Sequence, residues 1–430
     1  MHHFGNKDIN NMKIKFAIFL ISFSNILFGQ TENAIQQANH LGEQWKFQEA
    51  IDLLQNELRS DSTNPEIYYW LGRYSHYIVY DTRPFSNKSD RWSKQQILNN
   101  LQKAVEIDPN YGDAKYFLVA EYGARALEAL KLGDYDQYKK ELIDASNWDG
   151  FPPHAVEHGR NLLRSCDSNA ILIVNGDAQF NVLQYVQVIL GFRKDVSLVV
   201  LALLERPYYI QLIRDGVPNI LKASPINISD NLVMEMHNYK WKEKDIIIPL
   251  SDNIKTKYNL SDTTKNFRWH VKPNVGNNKL WTGTAMLIDI IKTNNWVRPI
   301  YYSWFGFNDL DGLEDNMQIE GLTAKIFPEK IKGTNLEYNT TKFELLMLNP
   351  KNYIDYKDIA VNNQPRVSYT YGNLSRRRIV DYAYYLYEKG EPERSVQVIE
   401  KMNKLMPDTI HPLSSDIEDD VQKLMKEIEN

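Results

Sequence analysis

A change of period between Ala170 and Leu204 constrains the fold more than any other feature of the chain. Ala170-Ile171-Leu172-Ile173-Val174 is a short apolar run that ends in Asn175-Gly176-Asp177. A short continuous run bounded by turn residues reads as a buried strand. Val182, Val186, Ile189 and Leu190 then repeat at helical spacing up to Gly191. Val196 to Leu204 is a second apolar run, rich in β-branched residues, and predicts a second buried strand. Pro207 to Asp215 predicts a short helix stopped at Gly216. Leu280, Leu287, Ile288 and Ile291 mark another helix, and Val297 to Trp304 a third strand. Strands alternating with helices imply a parallel sheet joined by right-handed crossovers. We therefore expect a three-layer α/β core from Ser168 to Pro328. Residues 217–278 show no clear period, and residues 329–370 read as an irregular or β-rich connection. The whole α/β domain is expected over 151–370.

Both flanks are helical. Ala34, Ala38, Leu41 and Trp45 recur at helical spacing, and Ala50, Leu53, Leu54 and Leu58 continue the pattern. The pieces echo one another. Trp45-Lys46-Phe47-Gln48-Glu49-Ala50 and Gly133-Asp134-Tyr135 sit at similar helix–helix turns. Tyr69-Trp70-Leu71-Gly72 pairs large residues with a small one, and Ala104 to Asn110 contains Pro109, which stops a helix. Small residues such as Gly72 and Ala104 let two helices approach closely. This pattern resembles the tetratricopeptide repeat family, a stack of helical hairpins about 34 residues long. Tyr80 to Arg91 then reads as an inserted loop. Ala383, Gly390, Ser395 and Pro407 carry the same resemblance near the C-terminus. Generic helical hairpins remain the alternative. The expected fold class is α/β plus α, a parallel-sheet domain flanked by tetratricopeptide-like hairpins over 30–150 and 371–430.

Lys13 and Lys15 precede a mostly apolar run from Phe16 to Phe28, and Leu27-Phe28-Gly29 offers a cleavage point before Gln30. That layout is a secretory signal, and the run is short for a membrane span. Residues 1–29 are thus expected to be removed from an exported, periplasmic protein with no later transmembrane segment. Translation from Met12 would keep the same signal. The net charge of -5 and the absence of a clustered basic face argue against nucleic-acid binding. Hydrophobic residues reach 43%, enough for a large core in each of several units. Cys166 is the only cysteine, so an intramolecular disulfide is impossible and a structural thiol is expected. No Walker lysine loop, Gly-x-Ser-x-Gly elbow or His-Glu-x-x-His motif occurs. His154 and His158 lie four apart but follow Pro152-Pro153, and are expected to face solvent or cap a helix. Arg376-Arg377-Arg378 is expected to be a solvated helix start.

In open parallel sheets, ligands bind beyond the carboxyl ends of the strands. Asn175, Gly176 and Asp177 would stand there, with Glu205, Arg206 and Trp304 at the ends of the next two strands. Gly176 would permit a sharp turn, and Asp177 would cap the next helix, bind a cation or act as a base. Ala170 to Asp177, Tyr185, Gln187, Gly191, Arg193 to Val196, Tyr209-Ile210, Trp296 to Tyr302, Glu320-Gly321-Leu322 and Pro328 together resemble the extramembrane C-terminal region of a mannosyltransferase-like bacterial membrane-protein family, glycosyltransferase family 117. The resemblance implies an α/β domain with a polar strand-end site. The family carries polar residues where this chain has Ala178, Gln179 and Phe180, acidic ones at Val188 and Leu190, and Asn and Ser at Val200 and Ala202. An Asp stands in the family where this chain has Pro207 and Tyr208. Among the family's polar positions Asn175, Asp177, Gln187 and Arg193 remain, and Arg206 is added from this chain's own strand end. The expectation is a non-catalytic scaffold without cofactor, holding a protein or peptide partner on its repeats and linked to envelope or surface-glycan assembly. The alternative is a carbohydrate- or nucleotide-sugar-binding protein, or an enzyme, acting at the Asn175-Gly176-Asp177 turn.

Overall fold

The computed structural model describes residues 34–80, 94–234, 238–303, 312–331, 337–354, 356, 368–410 and 412–429. The expected signal segment, the expected insertion Tyr80 to Arg91 beyond Tyr80, and Trp304 lie outside the described residues. Two compact units divide the chain, one up to Glu121 and one from Tyr122 onward.

In the first unit α1 (34–43), α2 (Phe47–Glu57), α3 (Pro65–Tyr80) and α4 (Lys94–Ile107) form consecutive helical hairpins, and α5 (Gly112–Leu132) follows. Ile35, Ala38, Ala50, Ile51, Leu54, Ile67, Leu71 and Tyr74 make one core. Close approach rests on glycine. A Cβ on Gly42 would lie 2.5 Å from the Tyr74 hydroxyl, and one on Gly72 2.6 Å from Leu101 Cγ. The small residue at position 72 thus does what its place in the sequence pattern suggests.

The second unit continues with α6 (Tyr135–Asn147), capped by Asp134, and α7 (Pro153–Ser165). Then come β1 (Ile171–Val174), α8 (Asp177–Gln184), β2 (Ser197–Val200), α9 (Pro207–Asp215) and α10 (Asp230–Met234). Next are β3 (Tyr239–Lys240), β4 (Lys244–Pro249), α11 (Asp252–Tyr258), β5 (Asn266–Val271), β6 (Lys279–Leu280), α12 (Thr282–Asn294) and β7 (Ile300–Ser303). The chain goes on through β8 (Met317–Glu320), β9 (Thr323–Ile326), β10 (Glu337–Tyr338) and α13 (Thr340–Met347). It ends with α14 (Leu374–Glu388), α15 (Pro392–Leu405) and α16 (Ser415–Glu429).

The main sheet runs β10-β8-β9-β7-β1-β2. β1 is parallel to both β2 and β7, while β9 is antiparallel to β7 and β8. Every residue of β1, β2 and β7 is buried, so both faces of this part of the sheet are covered, as parallel strands require. The arrangement is α/β plus α, with a sheet that is mixed rather than wholly parallel.

Three sequence expectations need correction. The run from Val196 to Leu204 is strand only over Ser197–Val200 and then turns into a 3-10 helix over Leu201–Leu203. Leu201 and Leu204 are still fully buried, so burial outlasts the strand. The third strand starts at Ile300, because Trp296 takes a left-handed φ of 62° and Val297 is 68% exposed. Arg376-Arg377-Arg378 is not a solvated helix start. Arg376 is 0% exposed and donates to the Met406 carbonyl and to Asp408 at 3.1 Å. Arg378 is buried and reaches Asp381, and Arg377 pairs with Asp416 and Asp420 of α16. The triplet therefore ties the last helices together. The C-terminal hairpin turns at Gly390, φ 80°, and the Ser395 hydroxyl donates to the Ala383 carbonyl at 2.8 Å across it.

Candidate functional site

β1 delivers Asn175-Gly176-Asp177 to its carboxyl end, as the sequence pattern predicts. The local geometry differs from a side-chain cap. Gly176 is itself the N-cap of α8, with φ -141° and ψ -176°. This is extended backbone, so no left-handed conformation demands glycine there. A Cβ on Gly176 would meet nothing within 4 Å. Asp177 is the first residue of α8, exposed, and its Oδ1 accepts the Ala178 amide at 2.9 Å. It supports the helix as a negative charge in the first turn. The Asn175 carbonyl accepts the Ala202 amide at 3.4 Å, joining the ends of β1 and β2.

Among the described residues, the side chains next to the turn are packed inward. Gln179 and Phe180 are buried. The Ser303 hydroxyl, at the end of β7, donates to the Gln179 carbonyl oxygen at 2.7 Å. Phe180 meets Tyr209 edge-on at 6.4 Å. The Tyr371 hydroxyl donates to the Ala178 carbonyl at 3.0 Å. Glu205 and Arg206 stand one turn beyond β2. Glu205 accepts the Trp281 indole at 3.1 Å and lies 3.8 Å from Arg206, which is the N-cap of α9.

Gln187 and Arg193 do not lie beside the turn. They lie in the segment that leads into the opposite, amino-terminal end of β2. Gln187 is buried and donates to the carbonyls of Arg193 and Val196 at 2.8 and 3.0 Å. The Arg193 guanidinium donates to the carbonyls of Leu163, Cys166 and Asp167 and forks onto Asp195. Arg298 performs a similar task beside it. Its guanidinium donates to the carbonyls of Asn169, Ala170 and Ala223 and to the Ser197 hydroxyl. Gly321, φ 74°, sits so close to α7 that a Cβ would lie 2.4 Å from the Ser165 hydroxyl, which accepts the Leu322 amide. The Arg193 to Val196, Trp296 to Tyr302 and Glu320-Gly321-Leu322 motifs are therefore architectural.

Sequence reasoning missed one cluster and misplaced another. On one face of the sheet Lys342 contacts Asp167, Glu320 and Tyr301, and Lys325 pairs with Asp167 at 2.6 Å. Burial pushes the Asp167 carboxyl up, but hydrogen bonds from Lys325 and Lys342 outweigh it and hold it below the ordinary carboxylate range. Burial, with Glu320 close by, raises the Tyr301 hydroxyl. Two cations face two carboxylates, so the cluster is closed on itself. The second cluster is the histidine pair. His154 and His158 are buried, not solvent-facing or capping, because α7 is enclosed on nearly all sides. Cys166 is buried, donates to the Leu162 carbonyl at 3.5 Å, and burial pushes its thiol up to about 12. Among the described residues no group of three or more His, Cys, Asp and Glu is placed to hold a metal ion. No described helix is long and apolar enough to cross a membrane.

The turn makes a clear expectation. Gly176→Ala should leave the melting temperature nearly unchanged. Asp177→Ala should cost about 0.3–1 kcal/mol, the worth of a charge in the first helical turn. Asp177→Asn should lose part of that. Thermal melts of the three variants check this, and a large loss in Gly176→Ala would contradict the open geometry.

No curated protein matches the chain. Residues 155–280 and 252–345 match the family model for TMEM260-associated domain 2, so the middle of the chain is similar to a domain of a glycosyltransferase-like family.

Proposed function

We propose that this protein is an exported, non-catalytic interaction protein whose helical repeats hold a protein or peptide partner in envelope or surface-glycan assembly. The observation that carries the non-catalytic reading is the lack of convergent polar groups beside the turn among the described residues. Gln179 and Phe180 are buried, and Gln179 is held by Ser303. Gln187 and Arg193 are spent on backbone carbonyls at the other end of the sheet. The tetratricopeptide reading is supported by the glycine-mediated helix approaches at Gly42 and Gly72 and by the Ser395–Ala383 bond across the C-terminal hairpin. Solenoid repeats of this kind present extended binding surfaces. Trp45, 46% exposed at the first helical turn, offers a surface aromatic for such contacts.

The test is site-specific photo-crosslinking in the native envelope. A reactive residue at position 45 is expected to trap one defined protein, and one at position 177 to trap none. Fractionation should find the chain exported, with a mature terminus at Gln30 or Thr31. An intact Met12 terminus held in the membrane would sink the export reading.

The mannosyltransferase-like resemblance and the matched domain favour a second reading, a carbohydrate or nucleotide-sugar site at the Asn175-Gly176-Asp177 turn. Asp177 is exposed there and would take the ligand. A thermal shift by a sugar or nucleotide sugar that vanishes in Asp177→Asn would promote it.

A further inference from the structure

At the amino-terminal end of β2 the structure holds a cavity of about 410 Å³, lined by Gln187, Lys194, Asp215, Lys222 and the loop between Gly216 and Ala223. It is in the size range of small-molecule sites. The loop is rigid. Val217 and Leu221 exchange backbone hydrogen bonds at 2.7 and 2.8 Å, and Gly216 and Asn219 take left-handed φ angles of 71° and 62°.

The charges around it do not balance. Arg298, next to the loop, is hydrogen-bonded only to neutral acceptors, three carbonyls and the Ser197 hydroxyl, and the carboxylate that acts on it, Asp195, is shared with Arg193. Lys194 and Lys222 have no ion-pair or hydrogen-bond partner among the described residues. The nearby carboxylates are taken. Asp195 is forked by Arg193. Asp215 is forked by Arg214, which also serves Asp230, so this trio carries one negative charge over. Two ammonium groups without ion-pair partners among the described residues thus line the cavity, beside one carboxylate that Arg214 already forks. Burial, together with the Arg298 charge, presses the Lys222 ammonium below its ordinary value. A bound anion would relieve that repulsion.

We propose that this cavity binds a small phosphate-bearing molecule through Lys194 and Lys222. A dianion gains more than a monoanion from two ammonium groups, which favours a phosphoryl group over a carboxylate. The site lies at the opposite end of the sheet from the Asn175-Gly176-Asp177 turn and is independent of the scaffold reading.

The experiment titrates the full chain by calorimetry at constant ionic strength, with inorganic pyrophosphate and with a hexose 1-phosphate as probes. Saturable binding of at least one probe is expected. Lys194→Gln and Lys222→Gln should each weaken it by about tenfold, the worth of one charge-assisted contact. Their melting temperatures should not change, since neither lysine holds another group. Asp177→Asn should bind as the unaltered chain does. No saturable binding by either probe, or equal binding in both lysine variants, would overturn the proposal. So would loss in Asp177→Asn with retention in the lysine variants, which would move the ligand to the strand-end turn.

Discussion

Acidification from pH 7 to pH 5 should cost the second unit about 3–4 kcal/mol of stability, far more than surface titration would. The cause is the histidine pair on α7. His154 and His158 are 3% and 2% exposed, and neither Nε2 has a hydrogen-bond partner among the described residues. The His158 Nδ1 is 3.5 Å from the Ser375 hydroxyl, and the rings face Tyr371 and Tyr356 at centroid separations of 5.1 and 6.3 Å. Neighbouring Glu157 is already engaged by Arg160 and Arg164. Protonation would therefore place two charges in a site with no anion to receive them. Burial lowers His154 to about 4, and burial together with the His154 charge lowers His158 to about 3. In the unfolded chain both imidazoles take up protons near pH 6.5. The folded state refuses those protons until far lower pH. Stability contributed by the neutral pair is thus complete above 6.5 and is lost as pH falls below it, at about 1.4 kcal/mol per unit and per histidine. Asp167 and Asp195, whose carboxyls are held low, add losses only in the ordinary carboxylate range and leave this window clean. Urea unfolding at pH 7, 6 and 5 measures the slope. The double variant His154→Phe/His158→Phe keeps the aromatic contacts and should flatten it. An unaltered chain that is equally stable at pH 7 and 5 would refute the argument.

That pair also shows where the sequence stops being legible. Strand β1, its turn and the helix Pro207–Asp215 follow from period and punctuation alone, and the structure places them within a residue or so of the expected bounds. The same logic overran at Leu201, because the 3-10 turn Leu201–Leu203 is as apolar in sequence as a strand and period alone cannot separate them. The hairpin β8–β9 was visible only as a short resemblance at Glu320-Gly321-Leu322. Gln318, Glu320, Thr323 and Lys325 interrupt its apolar pattern, since one face carries the ion cluster. Helix α7 buries Glu157, His158 and Asn161 along with its apolar residues, so polar residue type conceals that its histidines are inside. Arg376 misleads for the same reason, as its partners are a carbonyl and a carboxylate some 30 residues away. Residue type does not reveal that Gln187 and Arg193 point at backbone carbonyls, which carry no sequence signature.

Arg193→Ala should therefore act on folding, costing about 3 kcal/mol, and not on any ligand of the strand-end turn. The guanidinium donates to the carbonyls of Leu163 at 2.7 Å, Cys166 at 3.0 Å and Asp167 at 2.8 Å, at and just beyond the end of α7. The last carbonyls of a helix lack intrahelical partners and carry its negative dipole end, so a fixed cation there does two jobs. The same group forks onto Asp195 at 2.7 and 3.0 Å, and those bonds hold that carboxyl down to about 2. Asp195 in turn accepts the Asn169 amide at 2.8 Å, one residue before the sheet begins at Ala170 and Ile171. Removing the side chain strands several carbonyls and a carboxylate together, and it leaves position 193 in a left-handed φ of 51° with no side-chain bonds to hold it. Arg193→Lys should recover less than half of the loss, because an ammonium is a point charge and cannot reach three carbonyls while forking a carboxylate. Urea denaturation of the two variants separates the roles. A loss under about 1 kcal/mol in Arg193→Ala, with altered binding of a sugar or phosphate probe, would return Arg193 to the list of ligand-binding residues. The predicted order, unaltered chain above Lys above Ala in stability with binding unchanged, follows only if the Arg193 to Val196 motif is a clasp between α7 and the sheet.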